Sequence, residues 1–303
     1  MGKVVQVVVF TSTIGSIYAL VALGYSLIFS TTRIVNFAQG TLVVVGGYLA
    51  WWLYSEVLDE NVPLPLVTVA VVILSGLVGL AFDLVAVAPL GRFDPSTSIA
   101  WLVTTFGAGI VAQEIVAKTI SDSGQTVPDL VSSVFGWTGS VVRGVAIRPS
   151  DIALIGTTLV LVVAIEAMQR RTRIGQAFRA VAQDRQAAAL MGINPAMIVA
   201  ISFVIAGALA GLGAVLVAPR LGIRFNISLS LGVFGFIAAV IGGLGSTRGA
   251  VAGGYLLALV GGVVGVATSD ADTWGPLVTF AVFIVVLVFR PTGLFGRPVI
   301  EKV

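Results

Sequence analysis

A chain of 303 residues that is 57% hydrophobic and 10% charged, with mean hydropathy +1.07, carries far less charge than the roughly 25% of a soluble domain, which leaves an integral membrane protein. Cysteine and histidine are absent and the net charge is only +3. Disulfides, thiol chemistry, imidazole metal sites and histidine-dependent catalysis are therefore excluded, and the small basic excess, held in loop arginines, implies no nucleic-acid partner.

The fold expected is all-α, with room for roughly eight to ten spans at about 20 residues each. Lys3 precedes an apolar run from Val4 to Ser30 that lacks a clear small-residue cleavage site, so it is expected to stay as the first span. Further apolar runs follow at 36–54, 66–89, 97–118, 151–168, 197–218, 228–245, 249–268 and 275–289. These predict about nine transmembrane helices, with eight as the alternative, in a single membrane domain covering 1–303.

Basic residues collect in short cytoplasmic loops. If 169–196 is cytoplasmic, alternation puts Arg33, Arg92, Arg248 and the tail with Arg290, Arg297 and Lys302 on the same side. Glu56, Asp59, Glu60, Asp270 and Asp272 then face out with the N-terminus and the long 119–150 connection. Arg143, Arg148, Arg220 and Arg224 fall on the outer side against the rule.

Two stretches do not read as ordinary lipid-facing helix. Residues 36–48, NFAQGTLVVVGGY, open with Asn36 and Gln39 and hold Gly40 and Gly46; residues 242–254 are glycine-dense around Arg248. Broken or re-entrant backbone is tolerated at membrane depth only where it is buried in protein or lines a cavity. The plainer alternatives are a helix start capped by Asn36 and a tight cytoplasmic turn with Arg248 at the headgroups. Asn36 and Asn226 each open a glycine-containing span, one per half of the chain, and transporters pair such segments around the substrate site. Asn36, Gln39, Gly40 and Gly46 are therefore candidate path residues.

Among intramembrane ionisable groups, Asp83 has no local partner and is either a path residue or paired with a loop arginine such as Arg92. Glu114–Lys118 and Glu166–Arg170 stand at i,i+4 spacing and read as neutralised pairs near the interface.

The stretch around 172–195 carries too much charge for hydrocarbon: from Gln169 to Gln186, Arg170, Arg171, Arg173, Arg179 and Arg185 cluster with only Asp184 against them. Ile174, Phe178, Val181 and Ala188 fall on one face, and Gln176, Arg179, Gln183 and Gln186 on another, which predicts an amphipathic helix. Gly175 marks its front, and Gly192 with Pro195 its back. Such a helix rests on headgroups or docks into a partner protein. No Walker-A string, metal-ligand cluster or activated nucleophile is present, so no catalytic residue and no metal site is expected.

The string RAVAQDRQAAALMGIN resembles the cytoplasmic coupling loop of ATP-binding-cassette importer permeases for branched-chain amino acids. The shared positions are Arg179, Ala180, Gln183, Asp184, Ala187, Ala188, Gly192 and Ile193. NFAQG followed by GGY, GGLGSTRGAVAGG and the closing FRPTGLFG at 289–296 resemble signature stretches of the same permeases, in the same order. The resemblance implies a subunit that forms the translocation path and docks through a coupling helix at 172–195, between spans five and six, onto two ATP-binding subunits. It implies a homologous second permease or a second copy, an extracytoplasmic substrate-binding protein, and a prokaryotic plasma membrane. ATP and Mg would bind the partners, with no cofactor on this chain. The substrate implied is a branched-chain amino acid, with urea or a short-chain amide as the alternative within the family. An ion-coupled secondary transporter is the rival from outside it.

Overall fold

The computed structural model describes residues 2–57, 62–90, 99–129, 132, 134, 136–137, 139–142, 145–268 and 270–296. Asp59, Glu60, Arg92, Arg143, Arg297 and Lys302, used above for orientation, lie outside the described residues.

Eleven α-helices follow in order among the described residues: α1 (Gly2–Thr32), α2 (Gln39–Trp52), α3 (Leu64–Phe82), α4 (Ala100–Thr119), α5 (Pro149–Arg171), α6 (Arg173–Gln183), α7 (Arg185–Leu190), α8 (Pro195–Leu221), α9 (Asn226–Gly242), α10 (Thr247–Ala267) and α11 (Ala271–Phe289). Single π-helical turns extend α2 over Leu53–Val57 and α3 over Asp83–Val87. Each predicted apolar run holds a helix among the described residues. Six helices, α1, α3, α4, α5, α8 and α10, are long and apolar enough to span a bilayer. The other three runs give shorter pieces: α2 has 14 residues, α9 has 17, and α11 counts as the apolar stretch Thr273–Phe289. The chain is also not purely helical. Within the 119–149 connection, Ser140–Val142 pairs antiparallel with Val145–Ile147.

The core is a set of close helix crossings made possible by small residues. α1 packs along α10, with Gly254 on the Ala19 backbone, Gly15 under the Tyr255 ring and a 2.7 Å bond between Ser16 Oγ and Tyr255 Oη. α3 meets α8 where Gly207 and Gly211 sit against Ser75. α2 crosses α8 at Gly46–Gly211 and α9 at Gly40–Gly232. Peripheral helices keep one apolar face outward: Leu66, Val69, Ile73 and Leu77 on α3, Leu159, Val160 and Val163 on α5, and Leu277, Ile284 and Val288 on α11. At helical spacing, exposed stripes of this kind suit a lipid solvent rather than water.

Two sequence anomalies resolve as geometry. Arg148 donates to Pro219 O at 2.9 Å and Arg220 pairs with Asp151 at 2.6 Å, so these two arginines, which ran against the charge rule, are spent on internal bonds that tie α5 to α8. In 242–254, Gly243 and Gly245 adopt positive φ in a tight turn, and α10 begins at Thr247. Gly249, Gly253 and Gly254 then serve helix packing, Gly253 against Ala238 O. That stretch is a turn and a helix start rather than a re-entrant segment.

The other interrupted stretch is broken. α1 stops at Arg33, which takes φ +60°, and residues 33–38 run without helix before α2 begins. Gln39 then meets Gly24, eight residues short of the end of α1, or about 12 Å inside it at 1.5 Å per residue. α2 therefore starts alongside the interior of α1 rather than at its end.

Candidate functional site

The polar segment between α5 and α8 is built from capping residues. Thr172 ends α5 and starts α6: its hydroxyl donates to Met168 O at 2.6 Å and accepts from Gly175 N at 3.0 Å. A side chain at Gly175 would collide with Met168 O, so the turn needs glycine there. At the other end of α6, Asp184 is extended (φ −152°, ψ 111°) and its carboxylate accepts from Gln186 N and Ala187 N, both at 2.9 Å. That is an N-cap. The single helix expected over 172–195 is thus two helices, because the aspartate satisfies the first amides of α7 only by leaving helical geometry itself. Asn194 caps α8 in the same way, which makes Pro195 the first residue of α8 rather than the end of the polar segment.

The apolar face of this segment turns inward. Phe178, Val181 and Ala188 are each at most 4% exposed, packed with Leu27 of α1 and Ile198 of α8. Ile174, expected on that face, is instead 46% exposed. Arg33 donates to Ala182 O at 2.9 Å and Arg179 to Gln169 O. Ala180 is half-buried, while Gln183, Asp184 and Gly192 are exposed, Gly192 at φ +83°. Beside it Leu190 and Met191 stand 89% and 82% exposed. The expected Glu166–Arg170 pair forms at 2.9 Å and gains Arg248 at 2.7 Å, fixing α10 to α5. Glu114 and Lys118 are exposed and make no ion pair among the described residues.

The candidate path residues lie deeper. Asn36 is 1% exposed; its Oδ1 accepts from Ala38 N at 3.1 Å and its Nδ2 is buried without a partner. Gln39 is fully buried, donates to Ala206 O at 3.4 Å and leaves Oε1 unpartnered. Helix α2 has no side-chain cap, so its positive end stands beside these amides. Gly40 and Gly46 hold the crossings of α2 with α9 and α8. Asp83 is buried in the π turn after α3 and lies apart from this group, next to Thr32, Trp101 and Arg185.

Sequence reasoning missed a polar node beside the start of α2. Gln113 Nε2 on α4 donates to Thr41 Oγ1 at 3.0 Å and to Ser228 Oγ at 2.6 Å, and the two hydroxyls are 3.2 Å apart. Both hydroxyl oxygens accept from the amide and one hydroxyl donates to the other, so one O–H is left over. The node offers a spare donor, as does Asn36 Nδ2, which suits an acceptor such as a carboxylate. Among the described residues no group of three His, Cys, Asp or Glu could hold a metal ion.

The profile of the family described as branched-chain amino acid transport system / permease component matches residues 7–287. The chain is 34% identical over 302 residues to the high-affinity branched-chain amino acid transport system permease protein BraD of Pseudomonas aeruginosa, covering 96% of this chain and 95% of that one. It is 30% identical over 299 residues to the corresponding protein LivH of Escherichia coli K12, with the same coverage. A probable LivH of Methanocaldococcus jannaschii is 26% identical over 303 residues, covering 93% and 89%. No solved structure matches. With both the family profile and relatives of this identity running nearly end to end, the chain belongs to the family of branched-chain amino acid transport system permease components.

Proposed function

We propose that this multi-pass membrane protein is the translocation subunit of an ATP-driven importer for branched-chain amino acids. It works beside a homologous permease or a second copy of itself in a prokaryotic plasma membrane, with two ATP-binding subunits on the cytoplasmic face. A substrate-binding protein delivers cargo from outside. ATP and Mg belong to the partners. The basic end, with Arg33, α6, α7 and Arg248, faces the cytoplasm, in keeping with the positive-inside rule.

The observation that carries this reading is the Leu190–Met191 turn. Two large apolar side chains stand almost fully exposed on a segment that has already buried Phe178, Val181 and Ala188 against the bundle. The bundle does not cover them, and an apolar knob on an otherwise polar segment fits a groove on another protein. Transport then runs past the start of α2. Asn36, Gln39 and the Gln113–Thr41–Ser228 node meet the charged head of the amino acid, while Phe37 and the neighbouring valines accept its aliphatic tail.

The test is Leu190→Asp with Met191→Asp, two exposed positions where substitution leaves the fold intact. ATPase subunits should co-purify with the native chain and be lost from the variant, with labelled leucine uptake falling in parallel. Full ATPase recovery with the variant would sink the docking role. Unchanged uptake kinetics in Asn36→Ala and Gln39→Ala would sink the path assignment.

A further inference from the structure

Beneath the polar segment lies a cavity of ≈ 150 Å³ walled by the end of α1, the π turn after α3, the start of α4, Arg185 of α7 and the start of α8. Two of its wall groups are orphaned. Asp83 is 4% exposed with Oδ1 unpartnered, and Trp101 is 4% exposed with Nε1 unpartnered. Arg185 is the cation on the wall, yet no ion pair within 4.0 Å joins it to Asp83. Arg33, next in sequence to the wall residue Thr32, is occupied with Ala182 O.

A buried carboxylate without a directly paired cation is costly, and the cavity is large enough to hold water beside it. The π turn that swings Asp83 inward is itself a feature found mostly at functional positions. Arg185 is the first residue of α7, held at the mouth by the Asp184 cap. A small inward movement of α7 would replace solvent with a direct Asp83–Arg185 contact.

The geometry points to Asp83 as the anchor through which the docking segment acts on the membrane helices. Pressure from a seated ATPase drives Arg185 onto Asp83 and closes the cavity; release reopens it. Because Asp83 heads the π turn joining α3 to its last turn, closure pulls on α3, and through the tight Ser75–Gly207 and Gly46–Gly211 crossings it reaches α8 and α2. Asp83 is thereby a positioning residue between ATPase and path, outside the substrate contacts. This inference rests on the importer reading given above.

The test uses the complete importer in proteoliposomes. Asp83→Arg and Arg185→Asp should each cut ATP-driven uptake at least tenfold while ATPase subunits still co-purify, and the double exchange should recover uptake to within threefold of native. The chain has no cysteine, so Asp83→Cys with Arg185→Cys gives a clean second readout with small side chains. Disulfide formation under a mild oxidant should be at least fivefold faster in the ATP-bound complex than in the nucleotide-free one. A double exchange no better than the single ones, with ATPase retained, overturns the anchor and leaves docking standing. A disulfide rate indifferent to nucleotide overturns it too. Absence of ATPase from the native preparation overturns the importer reading and the anchor together.

Discussion

The crossing of α2 and α9 tests the architecture most directly, through Gly40→Ala. A Cβ at position 40 would lie 2.2 Å from Ser228 O, 2.5 Å from Gly232 N and 2.7 Å from Gly232 Cα. All three are backbone atoms, so no side chain can swing aside. Restoring an ordinary 3.4 Å contact requires the helices to part by about 1.2 Å, the difference between 3.4 and 2.2. That separation would break the 3.2 Å Thr41–Ser228 contact and pull Ser228 away from Gln113. Overpacking of this kind costs about 1–3 kcal/mol, and with rigid backbone on one side and two hydrogen bonds at stake we expect the top of that range. At roughly 2–4 °C per kcal/mol for a chain of this size, tryptophan-monitored unfolding in detergent should shift down by about 6–12 °C. The control is Gly107→Ala on α4, where the added methyl meets nothing within 4 Å; its midpoint should hold or rise slightly. Equal midpoints for Gly40→Ala, Gly107→Ala and the native chain would refute the close crossing and the polar node built on it.

Three further outcomes follow from single contacts. Arg220→Met leaves Asp151 buried without its cation, a loss of about 3–5 kcal/mol visible as a lower unfolding midpoint; adding Asp151→Asn should restore most of it. Asp184→Ala removes the cap of α7, about 1 kcal/mol, so limited trypsin should cut after Arg185 about fivefold faster. Gln113→Leu removes two hydrogen bonds at about 1 kcal/mol each. It should raise the half-saturating leucine concentration by up to about thirtyfold with little change in expression; an unaltered value would detach the node from the path.

What the sequence made legible is what depends on neighbours along the chain. Apolar runs of about 20 residues became helices wherever they occurred, and Phe178, Val181 and Ala188 turned out to share a buried side. The i,i+4 spacing of Glu166 and Arg170 delivered an ion pair. Whether a run crosses the whole bilayer is a different question. α2 and α9 are short because the chain bends at Arg33 and Gly222, and the arginine bend has no compositional signal. The polar node was invisible for a plainer reason: Thr41 and Ser228 lie 72 and 115 residues from Gln113, and three neutral residues at such distances announce nothing. The break at Asp184 did leave a trace. An aspartate ahead of Arg-Gln-Ala-Ala-Ala is a good N-cap, but the regular spacing of Gln176, Arg179, Gln183 and Gln186 masked it. Arg220 looked misplaced only because its partner, Asp151, sits 69 residues earlier.

The long contact between α1 and α10 sets a timetable for biogenesis. Ser16 and Tyr255 bond across 239 residues of sequence, and ribosomes add roughly 5–20 residues per second. The first helix therefore waits roughly 12–48 s in the bilayer, or beside the insertion machinery, before the surface that covers it is synthesised. During that interval its glycine-lined side and the hydroxyls of Thr13 and Ser16 face lipid or a chaperone. Late truncations of the chain should accordingly be degraded through the instability of its beginning.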